Sequence, residues 1–218
     1  MKQPSDLNFN RAIKDRMDII APLVKNRKTL DLGVVDSRLA RAKTSERLSK
    51  KSPSLLYRRI CKINPDTLGI DIDQDGINIL EEQGFKATTA NVMTMDLSEQ
   101  FDTIVAGEII EHLSNPGQFL HNMRRHLKPE GTLVITTPNP FYCRQALKIW
   151  RYKRPRVHEE HTCWFDPITL FNLCRLSGLE PYDMYWIQSG KRHFFKNWPC
   201  LFRKYFSKSF MILVRRED

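Results

Sequence analysis

The sequence lacks the features of an exported or membrane-spanning protein. It has no run of about 18 apolar residues, and its N-terminus, MKQPSDLNFN, has no apolar signal-peptide core. Paired cysteines are also missing, because the five cysteines are scattered without metal-ligand spacing. The cysteines therefore indicate neither a disulfide framework nor a zinc ribbon, and we expect reduced thiols in the cytoplasm. The cysteines are Cys61, Cys143, Cys163, Cys174 and Cys200.

A glycine-rich G-x-G-x-x-G loop is missing after the first predicted strand, which ends in Asp31, Leu32 and Gly33. Nicotinamide-dependent enzymes of the doubly wound class use that loop to approach the pyrophosphate, so a dehydrogenase is disfavoured. One glycine still permits a tight turn with close backbone approach to a ligand. A tight strand-to-helix turn in any α/β protein has the same need, and both interpretations stay open.

Acidic residues are scarce outside the centre of the chain, whose net charge is +10. Residues 34–68 carry nine Lys/Arg against three Asp/Glu, residues 144–156 six against none, and residues 190–218 eight against two. Residues 69–131 instead carry four basic and eleven acidic residues. Such basic flanks favour a polyanionic partner, whether nucleic acid, anionic lipid or a phosphate-bearing substrate. A basic surface without a specific ligand is the alternative.

The 218 residues alternate predicted strands with predicted helices, which indicates one doubly wound α/β domain over residues 1–218. We expect a Rossmann-like, mostly parallel sheet of seven strands with an antiparallel C-terminal hairpin. A basic insertion at about 34–67 and a substrate lid at about 141–165 elaborate this domain. The predicted strands are 29–33, 68–72, 86–91, 103–106, 132–137, 184–188 and 210–214. The predicted helices are 7–20, ended by Pro22, then 75–83, 115–127 and 167–176, with one or two more inside the insertion.

Two polar residues follow the next predicted strands. Asp71 ends the second strand, at the position where a carboxylate accepts hydrogen bonds from ribose hydroxyls in nucleotide-binding α/β proteins. Asn91 ends the third strand and can accept a hydrogen bond through its amide oxygen. A helix N-cap is the alternative role for Asp71.

Glu108, Glu111 and His112 come directly after the fourth predicted strand. If this segment is helical, their spacing puts them on one face. Two carboxylates and an imidazole suit a divalent cation site or a general base oriented by an acid. In the alternative, Glu108 binds a cofactor amino group, Glu111 caps a helix and His112 acts as a metal-free base.

Three segments carry a family resemblance: GEIIEHLSNPGQFL from Gly107, TTPNPF from Thr136 and EEHTCWFDPITL from Glu159. The chain resembles class I S-adenosylmethionine-dependent methyltransferases, in a bacterial and archaeal group with a Glu-x-x-Glu-His motif. That motif is similar to those of ubiquinone-pathway O-methyltransferases and small-RNA 2′-O-methyltransferases. In the latter a further histidine completes a magnesium site, and His158 and His161 are candidates for it, with His161 better placed.

The resemblance implies a role for each matching residue. The cofactor S-adenosylmethionine would contact Asp31, Gly33, Asp71, Ile72, Asn91, Val92, Gly107 and Glu108. His112 and Glu111 would be catalytic. A Mg, Mn or Zn ion would be held by Glu108, Glu111, His112 and His161.

The resemblance also implies an O-methyltransferase that acts on a sugar-bearing or other small-molecule hydroxyl group. An RNA methyltransferase and a non-catalytic partner subunit with the same fold are the alternatives. The aromatic and basic segment from His193 to Phe210 fits either the lid or core of a substrate pocket or a contact with an anionic membrane surface. Peripheral membrane association of a cytoplasmic protein therefore stays open.

Overall fold

The computed structural model describes residues 3–35, 55–155, 157–188 and 207–217. Within these ranges, eight strands form one sheet, and six α-helices and two short 3₁₀ turns, Pro4–Asp6 and Ile110–His112, accompany it. The strands are β1 Ala12–Ile13, β2 Thr29–Leu32, β3 Leu68–Asp71, β4 Ala87–Thr89, β5 Phe101–Gly107, β6 Leu127–Pro138, β7 Leu179–Ile187 and β8 Ser209–Arg216. The helices are α1 Met17–Val24, α2 Leu56–Cys61, α3 Gln74–Glu82, α4 Pro116–His126, α5 Cys143–Tyr152 and α6 Pro167–Leu176.

The strand order is β1-β7-β8-β6-β5-β2-β3-β4. β8 is antiparallel to both of its neighbours, β6 and β7, and the other described pairs are parallel. The predicted α/β class with a C-terminal antiparallel hairpin is confirmed. The sheet has eight strands rather than seven, because Ala12–Ile13 pairs with the outer side of β7.

Successive residues of the central strands face opposite cores, as in a doubly wound sheet. Ile104 packs in the cluster that contains α4 and α6, whereas Val105 packs in the cluster that contains α1 and Ile60 of α2. A third cluster joins Tyr57 to α3. Both faces of the sheet are covered, which explains the continuous apolar runs of β5 and β6.

The prediction of a helix from Leu7 to Ile20 is wrong. The helix covers Met17–Val24, and Ile13 instead extends β1 beside Ile187 of β7. Pro22 lies inside the helix although it lacks an amide hydrogen. The fully buried Ile20 and Val24 flank it, so apolar burial outweighs the missing hydrogen bond.

The starts of three helices follow directly from the sequence. Asp73 accepts from the amides of the first turn of α3, Asn115 does so for α4, and Asp166 for α6. Pro116 and Pro167 then occupy the first helical positions, where no amide hydrogen is needed. These caps explain why the three helices were predicted within one or two residues.

Other predictions have different outcomes. β6 begins at Leu127, which pairs with Phe101, rather than at the predicted residue 132. The register then shifts between the Phe101–Leu127 and Thr103–Thr132 pairs, so Lys128 to Gly131 form an irregularity in the strand. One of the helices predicted in the insertion is present as α2, Leu56–Cys61. Residues 36–54 and most of the 193–210 segment lie outside the described residues. No helix in the described ranges is long and apolar enough to cross a membrane.

Candidate active site

A cavity of about 780 Å³ opens where β2, β3 and β5 end. Gly33, Asp71 and Gly107 border it directly after or at the end of these strands. The carboxyl edge of a parallel sheet is where open α/β folds bind ligands. The remaining lining residues include Arg16, Val35, Leu56, Ile72, Ala90, Asn91, Val92, Met93, Glu108, Ile109, Glu111, His112, Pro138, His158, Glu160 and His161.

Gly33 forms the turn after β2 with a positive φ of 71°, and its amide donates to Ile70 O at 2.8 Å. A side chain here would be strained, and its Cβ would lie 3.2 Å from Ile109 Cδ1. A single glycine therefore provides both the left-handed turn and the close approach of the backbone.

Asp71 points a half-buried carboxylate at the cavity. Its Oδ2 accepts from Val35 N at 2.8 Å and its Oδ1 accepts from Asp73 N at 3.1 Å. Each oxygen keeps a further acceptor position for a ligand. Burial raises the pKa of Asp71, although these backbone hydrogen bonds act in the opposite direction. The N-cap of α3 is Asp73, so capping does not explain Asp71.

Asp31 lies in β2 and is buried, but it is not among the described residues that line the cavity. Burial raises its pKa to about 8 from an ordinary value of 3.8, and the positive charge of Arg16 acts against this shift. Arg16 itself borders the cavity, and its Nη1 would lie 3.6 Å from a Cβ placed on Gly107. No sequence pattern singled out Arg16.

Asn91 and Val92 line the far side of the cavity, after β4. The side-chain oxygen of Asn91 accepts from Met93 N at 2.9 Å, which fixes its orientation in a local turn. Its amide NH₂ group is the part of the side chain left to act as a donor.

Glu108 follows β5 in a left-handed conformation, with φ 55°. A non-glycine residue there costs of order 1 kcal/mol or more and is concentrated at functional sites. Glu108 Oε1 accepts from Ser209 Oγ at 3.1 Å, and Glu108 N donates to Thr136 O at 2.9 Å. The condition that the segment from Glu108 to His112 is helical is not met, because Ile110–His112 forms a short 3₁₀ turn that leaves Glu108 outside it.

Glu111 is buried in that turn, and its Oε2 accepts from Thr137 Oγ1 at 3.0 Å. Burial raises its pKa to about 7 from 4.5, and the charge of Glu108 acts in the same direction. The carboxyl group of Glu111 thus changes between its protonated and ionised forms near neutral pH. Glu111 O also accepts from Thr162 N at 2.9 Å, which docks the later histidine-containing loop on the turn.

Three histidines converge at the mouth of the cavity. The ring centroid of His112 lies 4.6 Å from that of His161 and 5.8 Å from that of His158. Burial lowers the pKa of His112 and of His161, and neighbouring imidazoles add to both effects. Neutral imidazoles, which can accept a proton or bind a metal, are therefore favoured. The Nδ1 atom of His161 is buried and has no hydrogen-bond partner among the residues that the structure describes.

Among the described residues, the group of potential metal-ligand atoms lying within 4.8 Å of one another consists of His112, His158 and His161. Glu108 and Glu111 are not members of this group, although Glu108 acts electrostatically on His112 and His161. The sequence favoured His161 over His158, and the structure brings in both. His161 N donates to His158 O at 3.1 Å, which closes a turn over the segment His-Glu-Glu-His. The three-residue spacing of the two histidines in the sequence is the signal that such a turn would bring both rings together.

A second cavity of about 420 Å³ adjoins the first, and the two share Glu108, Pro138, His158 and His161 as lining residues. Its other walls include Tyr142 and Lys148 from the α5 region, together with Trp164 and Lys208. The histidine cluster thus stands at the boundary of two cavities. This arrangement allows a group bound in one cavity to react with a group bound in the other.

The doubly wound sheet with its one antiparallel strand, and the cavity above β2, β3 and β5, define a class I methyltransferase fold. The sequence comparison agrees: residues 13–183 match the family described as Methyltransferase domain, and the chain belongs to that family. Solved structures of S-adenosylmethionine-dependent methyltransferases share the fold of this chain.

Individual relatives fit this assignment. The chain is 28% identical over 142 residues to the ubiquinone biosynthesis O-methyltransferase of Roseobacter denitrificans. The aligned residues cover 59% of this chain and 57% of that protein. The chain thus spans little more than half the length of this curated relative.

Two solved structures share the fold. The CcbJ methyltransferase of Streptomyces caelestis superimposes with a TM-score of 0.62 at 14% identity, covering 98% of this chain and 99% of that one. The N-methyltransferase NodS of Bradyrhizobium japonicum, in complex with S-adenosyl-L-homocysteine, gives 0.51 at 15% identity, with 91% and 85% covered.

Proposed function

We propose that this methyltransferase transfers the methyl group of S-adenosylmethionine to a hydroxyl oxygen of a small, sugar-bearing or related acceptor. The observation that carries the proposal is the cluster of three histidines at the boundary of the two cavities. Oxygen nucleophiles need a base, and neutral imidazoles are well suited to that task. The printed name of the Roseobacter relative, an O-methyltransferase, supports the choice of oxygen.

The residues around the larger cavity fit the cofactor. Asp71 would accept from the ribose hydroxyls, Asn91 and Val92 would face the adenine, and Ile72 would contact it from the β3 side. Gly33 and Gly107 leave room for the amino-acid end, where Arg16 would pair with the carboxylate and Glu108 with the amino group. Asp31, behind this layer, would act on the cofactor through Arg16 and the Gly33 turn.

Bound S-adenosylmethionine supplies an electrophilic methyl group. His112 would take the proton of the acceptor hydroxyl as that oxygen gains the methyl group, with the sulfur–methyl bond broken and S-adenosylhomocysteine as the leaving group. The lowered pKa of His112 keeps the imidazole neutral for this step. Glu111, with its pKa of about 7, is the second group that can hold the proton.

A divalent cation on the same cluster is the finer form of the proposal. Three imidazole nitrogens suit zinc or another borderline transition ion better than magnesium, which prefers oxygen ligands. Glu108 is the nearby carboxylate that would complete the charge balance. A bound cation would lower the pKa of a coordinated acceptor hydroxyl.

The test is a methyl-transfer assay with labelled S-adenosylmethionine on a panel of catechols, hexosides and single-stranded RNA. We expect label in a hydroxyl-bearing small molecule, as an ether that resists mild alkali. His112→Ala should lower the rate by at least about 100-fold, within the range for general bases, with calorimetric affinity for S-adenosylhomocysteine retained.

His121→Ala is the matched control, because His121 is exposed on α4 and does not line either cavity. Loss of activity after chelation, restored by zinc but not magnesium, would support the cation. Methyl transfer to RNA alone would instead favour the alternative that the basic segments raise. Failure to bind the cofactor in calorimetry would favour a non-catalytic partner subunit.

A further inference from the structure

Helix α5 lies almost entirely on the surface. Of its ten residues only Gln145 is buried, and Leu147 and Trp150 are 64% and 76% exposed. Phe141, just before the helix, is 61% exposed. Apolar side chains of this size are unusual as neighbours on a surface, and a contiguous set indicates an interaction site.

The exposed apolar and basic residues lie on different faces of helix α5. Leu147 and Trp150 are three residues apart and share one face with Ala146. Arg144 and Arg151 lie on an adjoining face, together with Lys148. Within the described part of the chain, the helix thus combines an exposed apolar face with a basic flank, the pattern of helices that lie in a membrane interface.

The positive charge in and around α5 indicates which kind of partner would bind there. Residues 141–157 contain six Lys/Arg and no acidic residue. Residues 189–206, outside the described ranges, carry five Lys/Arg and again no acid, so this segment offers no charge complementarity to α5. An anionic partner is therefore favoured over residues 189–206 as the group that binds α5.

We propose that α5 docks the protein on an anionic lipid bilayer, with Leu147, Trp150 and Phe141 inserted between headgroups and the arginines paired with lipid phosphates. A bilayer accounts for both faces of the helix, whereas a nucleic acid would use the basic flank and leave the aliphatic side chains in water. Trp and Arg are the side chains that the interface accommodates best.

Docking through α5 has a consequence for the acceptor. Tyr142, Gln145 and Lys148 of this region also line the second cavity. The cavity would then open beside the lipid surface, where an amphiphilic acceptor is concentrated. This consequence rests on the proposed function; the docking itself does not.

The test is sedimentation of the full chain with vesicles of phosphatidylcholine alone and of phosphatidylcholine with phosphatidylglycerol. We expect binding to the anionic vesicles that weakens as salt is raised. The double variant Leu147→Ser with Trp150→Ser should lower the partition coefficient at least about tenfold. Arg144→Gln and Arg151→Gln should each lower it about fivefold.

Leu176→Ser is the matched control, because Leu176 is 86% exposed at the end of α6, and it should bind vesicles as the parent does. Calorimetric binding of S-adenosylhomocysteine verifies that every variant is folded, and it is independent of acceptor chemistry.

Equal binding to both vesicle types, or full binding by the Leu147 and Trp150 double variant, would overturn the proposal. So would an RNA affinity that exceeds vesicle affinity and survives the double variant. Self-association that the same variant abolishes, without vesicle binding by the parent, would identify the apolar face as a contact between two copies of the chain.

Discussion

Asp71 combines a structural and a ligand-facing role in one carboxylate. Its two oxygens already accept from Val35 N and Asp73 N, which holds the turn after β2 against the end of β3. The same carboxylate borders the cavity. The backbone contacts therefore orient the group toward the position expected of the cofactor ribose.

We expect Asp71→Asn to weaken binding of S-adenosylhomocysteine by roughly 10- to 100-fold, at about 1.4 kcal/mol per tenfold. The amide replaces one acceptor oxygen with a donor, which cannot accept from a backbone amide, and it removes the negative charge that strengthens hydrogen bonds from the ribose hydroxyls. Titration calorimetry measures the affinity. Asp73→Asn is the control, since asparagine caps helices well and Asp73 does not line the cavity. A folded Asp71→Asn variant with unchanged affinity would refute this placement.

Asp31 predicts a pH dependence of stability. Its pKa is about 8 in the folded chain and ordinarily 3.8, so the folded state holds the proton more tightly. The stabilisation is complete below about pH 4 and is lost as pH rises through about 8. Asp31→Asn cannot titrate, and it should reduce the loss of unfolding free energy between pH 5 and pH 8 by at least about 1.4 kcal/mol, the value of one pKa unit.

Urea unfolding of both proteins at the two pH values measures this difference. Glu111 and Asp71 also have raised pKa values, but both residues are present in the parent and in the variant. Their contributions to the pH dependence therefore cancel in the difference between the two proteins. Parallel stability curves for the parent and the variant would show that Asp31 does not hold its proton in the folded state.

The sequence indicated some site residues and missed others for a physical reason. Asp71, Glu108 and Gly33 were predicted because strand ends of a parallel sheet share one edge, which local patterns reveal. Arg16 reaches the same cavity through a loop path that no local spacing encodes, whereas His158 was a candidate that the sequence ranked below His161. Neither the left-handed backbone of Glu108 nor its hydrogen bond from Ser209 could be read from a motif.

At the scale of elements, helix α2 is tied to the sheet through one tyrosine. The buried Tyr57 donates to Lys86 O at 2.6 Å, and its ring fills the space over Gly69 of β3. A Cβ on Gly69 would lie 2.8 Å from Tyr57 Cζ. The glycine in this strand is thus required by the helix above it.

Gly69→Ala should lower the free energy of unfolding by about 1–3 kcal/mol, the usual cost of overpacking. Gly117→Ala is the matched control in α4, because its Cβ would meet only ordinary contacts at 3.6 Å or more. That change should raise stability by about 0.5 kcal/mol, since alanine favours the helix. Chemical denaturation measures both, and an unchanged Gly69→Ala variant would mean that α2 moves freely off β3.

Elements with local signals were predicted well. Capping residues and first-turn prolines defined α3, α4 and α6, and continuous apolar runs defined β5 and β6. The N-terminal helix failed because Ile13 pairs with Ile187, a partner far along the chain that helical spacing alone cannot reveal. The predicted basic insertion and the limits of the domain and lid stay predictions.

At the scale of the whole molecule, the two halves of the sheet cooperate in one site. β2, β3 and β5 border the larger cavity, whereas Thr137 of β6 and Ser209 of β8 hold Glu111 and Glu108 by hydrogen bonds. The C-terminal hairpin thus contributes to the acidic residues beside the histidines.

The most direct measurement for this account is a crystal structure of the chain with S-adenosylmethionine. We predict the ribose on Asp71, the amino-acid end between Gly33 and Gly107, and the methyl group directed toward His112 and the second cavity. Cofactor bound outside this cavity, or with its methyl group turned away from the histidine cluster, would contradict the proposed site.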